Sequence, residues 1–174
     1  FVVCNTDSQA LQMSPVPNKL QIGISLTSGL GAGANPEKGK NAAIESKEEI
    51  RELLGDDTRM IFITAGMGGG TGTGAAPVIA SVAQEMGILT VGIVTSPFGF
   101  EGRKKTKQAN EGIDALKEHC DTVLVILNDK IKEIYGNLSI REAFGQADNV
   151  LTTASKGIAE IITVSGYVNV DFED

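Results

Sequence analysis

Residues 66–74 read GMGGGTGTG, six glycines in nine positions, directly after the apolar run 60–64 and directly before AAPVIASVAQEM, whose composition reads as a helix. Without Cβ atoms the backbone of such a turn can close on an oxyanion and converge its N–H groups on it. The partial positive charge of the following helix adds to the attraction. The hydroxyls of Thr71 and Thr73 supply two further donors. The chemistry expected of this segment is phosphate binding. It is not a Walker loop, because Ala75 and not Lys follows Gly74. It is not the dinucleotide fingerprint either, since glycines at 68 and 70 require a third at 73, where Thr stands. A tight turn with close helix packing is the plainer explanation, but it needs one or two glycines and not six.

The elements that must hold this loop alternate strand and helix. The apolar run 1–4 ends at the turn and cap formers Asn5, Thr6 and Asp7, and 19–24 reads as a second strand. A helix is expected from Asn35 and Pro36 through to Leu54, where Gly55, Asp56 and Asp57 break it. After the strand at 60–64 come a helix over 75–86 stopped by Gly87, a nearly continuous apolar strand at 88–95, a polar-faced helix over 101–118 and a strand at 122–127. Residues 139–164 read as one long helix, with Ile140, Ala143, Phe144, Ala147, Val150, Leu151, Ala154, Ile158 and Ile161 on one apolar stripe. Strands apolar on both faces, alternating with helices, predict an α/β fold: a three-layer, Rossmann-like parallel sheet with helices on both faces.

Composition narrows the classes. The 174 residues, 41% apolar and 21% charged, suit one globular domain, and a net charge of −7 argues against a nucleic-acid surface. The basic cluster at 103–107 is small, and reads as a solvated helix face or as help for an anionic ligand. Cys4 and Cys120 read as isolated buried thiols suited to a reducing cytosol, and His119 as structural. No leader or long apolar span is present, so no membrane insertion is expected. The chain opens with Phe1 inside a strand and stops at Asp174 in a loop, which reads as an excised piece.

Six segments in order carry a resemblance: NTDSQAL at 5–11, GLGAGANP at 29–36, GMGGGTGTGAAP at 66–77, ILTVGIVTSPFGFEG at 88–102, AFGQADNVL at 143–151 and NVDFED at 169–174. Together they resemble the FtsZ division GTPases, the bacterial relatives of tubulin, along essentially the whole chain. The resemblance implies a partial GTPase domain over 1–174, N-terminally truncated, with the first strand, the first phosphate loop and a C-terminal domain absent. It implies that Gly69, Gly70, Thr71, Gly72 and Thr73 wrap the β- and γ-phosphates of GTP or GDP, that Gly33, Ala34 and Asn35 sense the γ-phosphate, and that Glu101 contacts the ribose.

Where the family usually has an Arg beside the phosphates, this chain has Lys105, which keeps the charge but loses the bidentate fork. Arg103 compensates only if the helix start is shifted. Phe144 is expected to stack on the purine and Asp148, one turn on, to accept from the N1–H and N2 amine of guanine. Adenine lacks those donors, so the pair favours GTP over ATP. Asn128 matches a further contact near ribose and base. Asn169, Asp171 and Asp174 match a catalytic loop inserted into the nucleotide site of the neighbouring subunit, where they would orient a water for in-line attack.

The same resemblance implies head-to-tail self-assembly into filaments of a cytoplasmic, mid-cell division ring. Other division proteins would be engaged through regions absent here, and the chain alone would be inactive. Magnesium is expected with the nucleotide, held mostly by the phosphates, and no metal ligand set is read among the side chains. Two other classes stand against this reading. A dinucleotide oxidoreductase would need a ribose-binding acid about 20 residues beyond the glycine loop, and residues 94–97 supply none. A non-hydrolysing tubulin-like protein would bind GTP without a working catalytic loop.

Overall fold

A computed structural model describes residues 1–163. Strand β1 (Val2–Asn5) leads to Asp7, whose Oδ1 accepts the N–H groups of Gln9 and Ala10 at 2.9 and 3.1 Å and so caps α1 (Ser8–Met13). Strand β2 (Asn18–Gln21) runs parallel to β1, with Val2 opposite Asn18. The strand expected to continue to residue 24 gives way to α2 (Ile24–Thr27). The single helix expected up to Leu54 is two helices, α3 (Pro36–Glu45) and α4 (Lys47–Leu54), broken at Ser46. The Ser46 hydroxyl accepts the buried N–H of Gly23 at 3.2 Å. A buried donor must be satisfied, and here that demand interrupts the helix.

Strands β3 (Met60–Gly66), β4 (Leu89–Ser96) and β5 (Thr122–Leu127) form a second parallel sheet in that order. Between them run α5 (Thr71–Glu85) and α6 (Arg103–Lys117). Helix α5 begins four residues before composition suggested, inside the glycine loop. Helix α6 begins later than the expected Glu101: a 3₁₀ turn covers Gly99–Glu101, and Gly102, at φ 99, makes a left-handed break before Arg103. Helix α7 (Asn128–Tyr135) was not expected at all. Helix α8 (Ile140–Thr163) matches the long helix, and Val164 lies outside the described residues. Ser139 and Glu142 open it with a capping box: the Ser139 N–H and hydroxyl donate to Glu142 Oε2 at 2.8 and 2.6 Å, and Glu142 N–H donates back to the hydroxyl at 3.3 Å.

Helix α5 organises the core. On one side Ala76 and Ala80 meet Ile63, Val94, Ile113 and Leu116 from β3, β4 and α6; on another Ala75 and Val82 meet Ile22, Ala42, Ala43 and Ile50, and Ile79 packs against both groups. Among the described residues no strand ladder joins the two sheets, so α5 is what connects them. Successive residues of a strand face opposite sides, and residues 90–94 of β4 are buried without interruption, so both faces of that strand are covered. Strand β5 instead leaves Leu124 and Leu127 exposed. The apolar stripe of α8 is likewise only partly enclosed: Ala143 and Ala147 are buried with Phe98 and Ile131, whereas Ile140 and Ile161 are exposed. His119 Nδ1 lies 2.9 Å from Gln84 Oε1 and joins the turn after α6 to α5.

Candidate functional site

The candidate residues outside 164–174, other than Phe144 and Asp148 on α8, lie in the segments that follow the strands and at the helix starts there, where open α/β sheets bind ligands. Gly70 is the N-cap of α5, and Thr71, Gly72 and Thr73 form its first turn. The loop is pressed against its neighbours on three sides. A Cβ on Gly70 would stand 2.8 Å from Ala32 Cβ and 2.9 Å from Asn35 N; one on Gly72 would stand 2.7 Å from the Gly66 carbonyl oxygen; one on Gly74 would overlap the Pro36 carbonyl oxygen. A Cβ on Gly39 of α3 would in turn overlap the Gly70 carbonyl oxygen. Close backbone approach between α3 and α5 therefore requires part of this glycine pattern. Gly69 differs, because a Cβ there meets no atom within 4 Å.

The two loop hydroxyls are engaged. Thr73, almost fully buried, accepts the Gly68 N–H at 2.8 Å and so fixes the curl of the loop from within. Thr71 Oγ1 lies 2.7 Å from Oγ1 of Thr6, a residue read from sequence only as a turn former.

The packing against Gly70 also places the second loop. Gly33 and Ala34 both adopt left-handed backbone, at φ 61 and 56, and for an alanine that conformation costs about 1 kcal/mol. Strain of this kind gathers at functional loops. Asn35 caps α3, its Oδ1 accepting from Glu37 N at 3.0 Å and Lys38 N at 3.4 Å, with Pro36 at the first helical position. Two helix N-termini, those of α3 and α5, thus meet at Gly70 and Asn35.

The other flank begins at Gly68, where a Cβ would approach the Lys105 carbonyl oxygen at 3.0 Å and Pro97 Cγ at 3.3 Å. Lys105 Nζ pairs with Glu101 Oε2 at 2.9 Å, and Glu101 Oε1 accepts the Phe98 N–H at 2.9 Å. Both residues assigned to nucleotide contacts are therefore partnered to each other, and the Glu101 carboxylate caps its own turn. Arg103 is exposed at the first position of α6.

Phe98 is fully buried and meets the Phe144 ring edge-on at a centroid distance of 5.3 Å; Phe100 stacks on Phe98 at 4.9 Å. Phe144 keeps 39% of its surface exposed. Asp148 is exposed, one helical turn further along α8. Asn128, matched from sequence to a contact near ribose and base, is the first residue of α7 and is 4% exposed, and its Oδ1 lacks a hydrogen-bond partner among the described residues. A buried acceptor left unpaired is rare in a native structure and wants an explanation. Beside it Asp129 Oδ1 accepts the Gly99 N–H at 2.9 Å and ties α7 to the aromatic turn. The local sequence shows neither the Asp129 nor the Thr6 contact, since both join residues far apart in the chain.

Contacts thus run without a gap from loop 33–35 through Gly70, Gly68, Lys105, Glu101 and Phe98 to Phe144. Asn169, Asp171 and Asp174 lie outside the described residues. Among those that are described, no three His, Cys, Asp or Glu side chains converge as a metal site, and no helix is long and apolar enough to cross a membrane.

The model of the Tubulin/FtsZ family, GTPase domain, matches residues 1–136. The chain belongs to that family. It is similar to the empty FtsZ dimer of M. jannaschii, at 50% identity and TM-score 0.94 over 99% of this chain and 50% of that one. It is equally similar to the W319Y mutant of the same FtsZ, with 52% of that chain covered. CetZ2 from Haloferax volcanii, a GTPγS-bound protofilament, shares the fold at 24% identity and TM-score 0.82, over 95% of this chain and 51% of that one. The chain spans about half the length of these solved structures. Membership in the Tubulin/FtsZ family explains why this α/β fold carries a glycine loop of neither the Walker nor the dinucleotide type.

Proposed function

We propose that this chain is the nucleotide-binding part of an enzyme that hydrolyses GTP to GDP and phosphate and assembles head-to-tail into the filaments of a bacterial division ring. The observation that carries the reading is the continuous line of contacts from the two loops at Gly70 to the aromatic cluster at Phe144, flanked by the unpaired, buried Oδ1 of Asn128. In this reading the phosphates lie on residues 69–73 and 33–35, where two helix N-termini favour an anion. The purine lies on Phe144, with Asp148 accepting from the guanine edge and Asn128 meeting a sugar or base donor.

Lys105 and Glu101 must then exchange partners, Lys105 turning to a phosphate and Glu101 to the ribose hydroxyls. That exchange is eased on the side of Lys105, whose side chain is 44% exposed, while the largely buried Glu101 carboxylate keeps the Phe98 N–H as a donor. Magnesium bound with the triphosphate supplies charge neutralisation during transfer. With no cluster of carboxylates near the loops among the described residues, the phosphates would provide most of its ligands.

Self-association is supported by the dimer and protofilament among the similar structures. A neighbouring copy would insert Asn169, Asp171 and Asp174 beside the γ-phosphate to orient the attacking water, so that neither subunit alone holds a complete site. A head-to-tail contact repeats without closing and yields a filament. The same reading has this chain inactive by itself, the protein at work in the cytoplasm at mid-cell, and other division proteins engaged through regions outside residues 1–174. The test is phosphate release from GTP and from ATP by the full-length protein over a series of concentrations, with Asp171→Ala and Asp174→Ala alongside. A GTP-selective rate per subunit that rises above a threshold concentration, and vanishes in both variants while GTP still binds, is expected. A rate independent of concentration would overturn the shared site.

A further inference from the structure

Thr6 stands at the end of β1 with no surface exposed, and its Oγ1 lies 2.7 Å from Oγ1 of Thr71, the first residue of α5. Its backbone is approached from the other side by Thr27 Oγ1, which donates its one proton to the Gly23 carbonyl at 2.8 Å and lies 3.3 Å from the Thr6 carbonyl oxygen. We propose that Thr6 is a positioning residue that donates to the Thr71 hydroxyl and thereby turns the Thr71 proton outward, toward a bound phosphate oxygen. The proposal rests on the nucleotide reading of the site and deepens it.

Two hydroxyls that share one hydrogen bond can be arranged in two ways. If Thr71 donates, the Thr6 proton is buried and, among the described residues, has no other acceptor. A buried donor without a partner loses its full hydration free energy, so that arrangement is disfavoured. If Thr6 donates, its only proton is satisfied, and the half-buried Thr71 keeps its own proton for the open side of the loop. That side is where the first N–H groups of α5 emerge. Each hydroxyl in such a chain polarises the next, so Thr71 becomes a stronger donor to an anion than an isolated threonine. Thr6 touches no ligand itself and acts wholly through Thr71.

The test uses the full chain and two probes, GDP and guanosine, with binding followed by calorimetry. Thr6→Val is expected to weaken GDP binding about fivefold, the worth of one well-placed hydrogen bond, and to leave guanosine binding unchanged. Thr6→Ser, which keeps the hydroxyl, restores GDP binding. Thr6→Val combined with Thr71→Val binds GDP no more weakly than Thr71→Val alone. If Thr6→Val does not fold, Thr6→Cys, a weak donor of similar size, enters the same comparison. Equal losses for GDP and guanosine, additive losses in the double variant, or a Thr6→Ser as weak as Thr6→Val would each overturn the proposal by reducing Thr6 to a packing residue. A wild-type chain that binds GDP no better than guanosine would overturn the phosphate reading itself, and the proposal with it.

Discussion

The glycines of the phosphate loop should separate into two kinds when each is replaced by alanine. At Gly69 a Cβ meets nothing within 4 Å, and the residue has no positive φ. Gly69→Ala therefore leaves the fold intact and, by narrowing the unfolded ensemble, stabilises it by about 0.4–1 kcal/mol. The added methyl stands on the loop surface assigned to the phosphates, where it keeps the backbone from an oxyanion, and GTP affinity falls by about tenfold or more, roughly 1.4 kcal/mol. At Gly74 the added Cβ stands 2.5 Å from Lys40 N, where ordinary contact begins at 3.4 Å, and overlaps the Pro36 carbonyl oxygen more deeply still, so α3 and α5 must part by more than about 0.9 Å. Overpacking of this kind costs about 1–3 kcal/mol. For a domain of this length that lowers the melting temperature by roughly 2–4 °C per kcal/mol. Thermal melts and titration with a fluorescent GTP analogue distinguish the two effects. A Gly69→Ala protein that binds like wild type would refute the cradle at that position. A Gly74→Ala protein that melts like wild type would refute the packing argument.

Asp148→Ala should weaken GTP binding by about tenfold to a hundredfold while leaving ATP binding unchanged, because it removes a charge-assisted acceptor worth about 1.5–3 kcal/mol. Its carboxylate is exposed, so folding stability should stay within about 0.5 kcal/mol of wild type in a urea titration. Lys105→Met should barely change stability but weaken GDP more than guanosine, read in a paired titration at low and high salt. Burial pushes the Cys4 thiol up to about 11. The neutral thiol is thus favoured in the folded state, and its contribution is full below the unfolded thiol range and lost as pH rises toward 11. For Cys4 that loss reaches about 3 kcal/mol. In urea titrations the stability gap between wild type and Cys4→Ala should therefore shrink from pH 7.5 to pH 10. Glu142 has the opposite sign, because the Ser139 hydroxyl and N–H hold its carboxyl below the usual range. Its help to the start of α8 is present above the unfolded carboxylate pKa and lost as pH falls through the folded one, and Glu142→Gln should flatten that part of the acid titration.

Sequence reasoning succeeded where the determinant is local. Asp7 and Asn35 are short polar side chains that cap the helix immediately after them, and strand 122–127 is an uninterrupted β-branched and leucine run, so all three stand as expected. It failed where the determinant is a distant partner. The helix break at Ser46 answers to the Gly23 N–H, and the pairing of Thr6 with Thr71 spans 65 positions. Neither can be read from a window of a dozen residues. Helix α7 was missed because its eight residues lie between a strand and the Gly136 break, where Asn128 and Asp129 look like a turn. The spacing puts nine residues of α8 on one apolar stripe, but burial within it falls on Ala143 and Ala147, which face the cluster around Phe98, while Ile140 and Ile161 are exposed.

The glycine loop carries more than the one demand that its sequence suggests. Six glycines were credited to one anion, but Gly70, Gly72 and Gly74 also serve backbone contacts with Asn35, Gly66 and Pro36. The two demands are coupled. The approach of α3 to α5 that excludes a Cβ at Gly74 is the same approach that brings residues 33–35 against Gly70, so the packing glycines position loop 33–35 against loop 66–74. Glu101 and Lys105 follow the same logic at smaller scale. Their four-residue spacing suits a local ion pair, and that pair forms across the Gly102 break. Because Lys105 is 44% exposed, its ammonium can leave Glu101 for a phosphate at low cost, which a fully buried pair could not do. A site built this way keeps its backbone fixed by helix packing and lets its charges rearrange, so substitutions at the glycines should change stability and binding together, whereas those at Lys105 and Asp148 should change binding alone.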